Sequence, residues 1–171
     1  QHFVDNDPNN DGRPRADFAI TSKDHPLYGL QTSEQQRVFV EDIEAANGER
    51  FPICALFDIA EAIKEGKRDS LSTPELRLAV KAAGYVFSTI DTLLSYAKYG
   101  WDEHETQCVC SAGSPFGGIR RISSLRWYET GRYLVAHRCV SHVWLENENG
   151  DDRLLVVRRP AKNFAAGNLG T

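Results

Sequence analysis

The chain has 171 residues, of which 41% are hydrophobic and 26% charged, with a formal net charge of −4. That composition suits one sizeable core and excludes a disordered or collagen-like chain. No apolar run approaches the roughly 20 residues of a membrane-spanning helix, and four cysteines in so apolar a chain are no disulfide framework.

The charge is uneven along the chain. Residues 1–50 hold ten acidic and five basic side chains, residues 51–110 nine and six, and residues 111–171 five and nine. A basic final third on an acidic protein suits nucleic acid or an acidic partner surface.

Residues 1–31 read as a flexible segment. AspAsnAspProAsnAsnAspGly is all turn formers and acidic groups, and it lacks the basic and apolar regions of a signal peptide. Asp7, Asn9, Asp11 and Gly12 mimic half a calcium loop, but Phe18 stands where the bidentate Glu belongs. With the cysteines taken as reduced thiols, the expected location is cytoplasmic. A helical domain is expected over residues 32–100. Val38, Phe39, Ile43 and Ala46 form an apolar stripe that predicts a helix over 33–47. Ile53, Leu56, Phe57, Ile59, Ala60 and Ile63 predict a broadly buried helix over 52–65, with Cys54 at its start.

Residues 72–100 carry the strongest local signals. Ser72 with Glu75 forms a capping box, Pro74 sits in the first turn, and Gly84 can end the helix in a left-handed conformation. Ser88 with Asp91 starts a second helix, which Gly100 closes. The spacing resembles a helix-turn-helix module. The resemblance implies that the second helix turns Ser88, Thr89, Thr92, Ser95 and Lys98 outward to duplex DNA, with Arg120 and Arg121 holding phosphate. It also implies a homodimer reading two half-sites. Against it, Arg, Asn and Gln are missing from that face and Asp91 repels phosphate. An ordinary helical hairpin inside a larger core is the competing reading.

Residues 101–118 are rich in breakers and read as a linker. The hydrophobic period then becomes two. Strands are expected over 119–128, 132–145 and 153–159, within a sheet subdomain of residues 119–160, followed by a tail over 161–171. The fold class is therefore α+β: an N-terminal helical bundle, then an antiparallel three-stranded meander. Helices followed by a hairpin also resemble a winged helix-turn-helix, although the strands are long for wings.

Three constellations carry chemistry. His104, Cys108, Cys110 and Cys139 are zinc-ligand types, but a Cys-x-Cys pair without a repeat favours buried thiols, and no cofactor is expected. Cys54 at a helix start, with His142 and Asp151 later, resembles the order in papain-like amidases of the cell-wall hydrolase type. That resemblance implies a Cys54 nucleophile and a His142 base. Finally, Arg120, Arg121, Arg126, Arg132, Arg138, Arg158 and Arg159 interleave with Phe116, Trp127, Tyr128, Tyr133 and Trp144. Guanidinium groups among aromatic planes grip phosphate and stack bases. The expectation is a DNA-binding or regulatory protein. A thiol amidase and a protein-partner-binding module are the alternatives.

Overall fold

In a computed structural model of the chain, the described residues are 22–25, 27–32, 34–43, 54–116, 121–139, 144–145 and 152–158. In chain order they form α1 (Tyr28–Thr32), β1 (Arg37–Phe39), a 3-10 turn (Val40–Asp42), β2 (Cys54–Asp58), α2 (Ile59–Glu65), β3 (Ser70–Leu71) and α3 (Thr73–Ala82). There follow β4 (Tyr85–Phe87), α4 (Ile90–Tyr99), β5 (Cys108–Phe116), β6 (Arg121–Tyr128), β7 (Gly131–Cys139), β8 (Trp144–Leu145) and β9 (Asp152–Arg158). A seven-stranded sheet dominates, in the order β1-β7-β6-β5-β9-β2, with β4 also on β9. β3 and β8 make a separate pair.

The sheet is mixed. β5 runs parallel to β9, and the other pairings are antiparallel. β5 and β4 share one edge of β9: Cys110 lies opposite Leu154, and Phe87 opposite Val156. At the junction the Gly113 amide donates to the Ser88 carbonyl at 2.9 Å, and the Ser88 amide to the Leu155 carbonyl at 3.3 Å. A Cβ on Gly113 would lie 2.5 Å from that Ser88 oxygen, so only glycine lets the two backbones approach.

Alternation along the strands splits the interior into two layers. On one face α1 and α4 pack Leu30, Ile90, Leu93 and Leu94 against Val109, Leu125, Leu134 and Leu155. On the other, α2 and α3 pack Ile59, Ile63, Leu76 and Val80 against Cys108, Cys110, Ile122, Leu154 and Val156. β9 feeds both layers, which is why its centre is a continuous apolar run, with Leu154 and Leu155 fully buried. Each such leucine contributes about 1.5–3 kcal/mol of burial.

The fold class is α+β, and five corrections go with it. There is no N-terminal helical bundle among the described residues. The expected helix over 33–47 holds β1 and the 3-10 turn, because Val38 faces the core while Arg37 and Phe39 point the other way, a period of two. Within the expected helix over 52–65, the described residues 54–65 form a strand followed by a short helix. Asp58 divides them by accepting the Glu61 amide at 3.0 Å. α3 and α4 are present, but β4 separates them where a tight turn was expected. The supposed linker contains β5, and β9 joins β5, β4 and β2, not a meander beside β7.

Candidate functional site

The hydroxyl-rich side of α4 does not face outward. Seven of its ten residues are buried: Ile90, Thr92, Leu93, Leu94, Ser95, Tyr96 and Ala97. Ser88 is 0% exposed, Thr92 9% and Ser95 4%. Hydroxyls tolerate this when they bond locally. Ser111 Oγ donates to the Ser88 carbonyl at 2.7 Å, Ser88 Oγ donates to Ser111 Oγ at 3.1 Å, and the Thr89 and Thr92 hydroxyls lie 3.4 Å apart. Thr89 is half-buried; Lys98 is exposed, its ammonium 5.2 Å from the Tyr99 ring. Arg121 is exposed on β6, and Arg120 lies outside the described residues. Sequence grouped these side chains on one surface; the structure keeps Ser88, Thr92 and Ser95 inside.

Cys54 is on a strand, so no helix dipole reaches it, and burial pushes its thiol up, away from the thiolate a nucleophile needs. His142 and Asp151 lie outside the described residues. Cys108 and Cys110 are buried on the α2–α3 face, both against Ser124 Oγ, at 3.4 and 3.3 Å. His104 is exposed and packs edge-on at 4.9 Å on Trp127, which belongs to the opposite layer. Cys139 sits on β7 opposite Arg121. The sheet thus separates His104 from the two thiols, and no group of three or more metal-ligating side chains occurs among the described residues.

What the fold does assemble is an aromatic and basic surface at the β1 end. Phe39 pairs with Tyr133 and Tyr133 with Arg126; Arg37 lies two residues before Phe39, and Tyr128 opposes Gly131. All five side chains therefore point to the same side of the sheet as α2 and α3, but neither apolar layer includes them. Phe39 packs on Tyr133 with ring centroids 4.6 Å apart, and Tyr133 stacks on Tyr128 at 5.1 Å. The Arg37 guanidinium lies 4.3 Å from the Tyr133 centroid and 5.0 Å from that of Tyr128. A Cβ on Gly131 would meet the Tyr133 ring at 2.7 Å, so the missing side chain is what lets that ring lie over the hairpin.

Exposure grades across the cluster. Tyr133 is buried, Tyr128 and Arg126 are half-buried, and Phe39 is 47% exposed. Arg37 is held in its charged form by hydrogen bonds to Tyr128 and Glu129, the Glu129 carboxylate lying 3.4 Å away. A half-open phenyl beside a fixed guanidinium offers a stacking plane for a flat ring and a counter-charge for an anion.

The other large basic group near this end serves the fold. Arg132 lies on the opposite face, over the Trp101 ring at 5.0 Å. It pairs with Glu103 at 2.9 Å and Glu41 at 3.5 Å, and donates to the Ala97 carbonyl. It ties the end of α4 to β7.

Sequence reasoning had Tyr128, Tyr133 and Arg126 among the interleaved aromatic and basic residues. It missed Arg37 and Phe39, hidden inside an expected helix. The β-branched and aromatic run Val38-Phe39-Val40 was the signal that could have found them. No protein-family model matches the chain, and comparison with curated proteins and solved structures finds no match.

Proposed function

We propose that this is a nucleic-acid-binding protein that engages its ligand through the open face of β1, β7 and β6, not through the helix pair. The observation that carries this reading is the Arg37–Phe39–Tyr128–Tyr133 cluster, an exposed ring on a stacked aromatic base with a permanent positive charge beside it. Aromatic planes stack bases, and a guanidinium pairs with phosphate. The burial of Ser88, Thr92 and Ser95 removes the surface on which the helix-based version depended.

The test is fluorescence anisotropy with a labelled pool of mixed-sequence oligonucleotides at low ionic strength. Phe39→Ala is expected to weaken binding by about 1–3 kcal/mol, the range for one base–aromatic stack. Arg37→Glu is expected to weaken it at least as much, while Lys98→Glu leaves it unchanged. Absence of binding to any of the pool at low salt would overturn the reading.

A further inference from the structure

On the nucleic-acid reading above, we infer that the ligand is single-stranded, one base stacking on Phe39 and its adjoining phosphate pairing with Arg37. Three observations converge on this. The first is the shape of the contact. Phe39 offers a ring at the edge of the sheet, on a three-residue edge strand, with Tyr133 behind it. Bases in a duplex have both faces covered by their neighbours, so only an unstacked base can lie on such a ring.

The second is what a duplex would need and the helix pair does not offer. Sequence reading in the major groove takes an exposed helix or ribbon that carries base-edge partners. α4 is packed into the core, and the outer side of α3 offers Pro74, Leu78 and Lys81, with Leu78 66% exposed. Arg77, the arginine of α3, is half-buried with its guanidinium 6.0 Å from the Phe87 ring.

The third is charge. Glu129 pairs with Arg37 within the cluster, Arg132 is taken by two glutamates on the other face, and the whole chain is at −4. A surface with so little net positive charge is poorly matched to the phosphate density of a duplex. It is matched to a strand held mainly by stacking. The salt dependence should accordingly be shallow, with a log–log slope of about −0.7 for each phosphate neutralised on a single strand.

The experiment is competition anisotropy with one unstructured ten-nucleotide sequence, in ribo and deoxyribo forms, against the blunt duplex of the same sequence. The proteins are wild type, Phe39→Ala, Phe39→Tyr and Arg37→Glu, each checked by circular dichroism. The expected result is a preference of about tenfold or more for single strand, which follows from one stacked base. That preference is lost in Phe39→Ala and kept in Phe39→Tyr. Ribo and deoxyribo strands binding alike assigns recognition to base and phosphate, and a strong ribo preference would overturn this division of roles by requiring a sugar contact. Tighter binding to duplex, with dependence on Arg37 intact, overturns the single-strand inference and leaves the nucleic-acid reading standing. Binding to neither overturns both.

Discussion

Glu129 sits where the hairpin between β6 and β7 turns, at a φ of 53°, with Thr130 next at 62°. Both are left-handed positions that Asn and Gly fill without strain. The strained turn presents the Glu129 carboxylate to Arg37, the position a phosphate would take. Glu129→Gln is therefore expected to tighten oligonucleotide binding by about two- to fivefold, the worth of an exposed ion pair, in the same anisotropy assay. Unchanged or weaker binding would show that Glu129 and the ligand do not compete. Gly113 is a second residue with a sharp consequence. Gly113→Ala drives a methyl into the Ser88 carbonyl and should cost about 1–3 kcal/mol, read as a lower denaturation midpoint in urea.

At the scale of elements, α3 has the clearest local account. Ser72 Oγ accepts the Glu75 amide at 3.3 Å and the Glu75 carboxylate accepts the Ser72 amide at 2.8 Å. Ser72→Ala should lower stability by about 1 kcal/mol in chemical denaturation at neutral pH. The Ser72 amide, helped by Arg68, holds the Glu75 carboxyl below the usual glutamate range. A depressed folded value means the contribution is present above the ordinary glutamate pKa and lost as pH falls through the folded one. The stability gap between wild type and Glu75→Gln should thus narrow on acidification; a constant gap would deny the charge any part. α4 obeys other rules. Its N-cap Thr89 makes no side-chain capping bond, and it is held by tertiary packing of Ile90, Leu93, Leu94 and Ala97.

For the molecule as a whole, β9 is the strand on which the rest depends. It pairs with β2, β4 and β5 and supplies Leu154, Leu155 and Val156 to both layers. Its partners come from both sides of residue 100, so unfolding should be one cooperative event. Truncation after residue 150 is expected to abolish the cooperative transition seen by far-ultraviolet circular dichroism and tryptophan fluorescence. A truncated chain that kept a sharp transition would show that the remaining strands stand without β9.

Short-range chemistry made part of this legible in advance. The capping box bounds α3 because that signal is a pair of local hydrogen bonds, and Gly100 marks the end of α4; the expected Ser88 cap does not mark its start, since Ser88 is buried ahead of the N-cap Thr89, which makes no side-chain capping bond. β-branched and aromatic runs between turn residues marked β6, β7 and β9 as strands. Cys54–Asp58 is a short apolar run that reads equally as helix or strand, and β9 decides it by pairing with all five residues. β5 hides among small residues, Cys108-Val109-Cys110-Ser111-Ala112-Gly113, whose value is close packing rather than propensity. Which side of α4 faces water, and that Arg37 and Phe39 meet Tyr128 and Tyr133 from about ninety positions away, depend on strand order and register. Those are set by long-range pairing, which no local pattern of residues encodes.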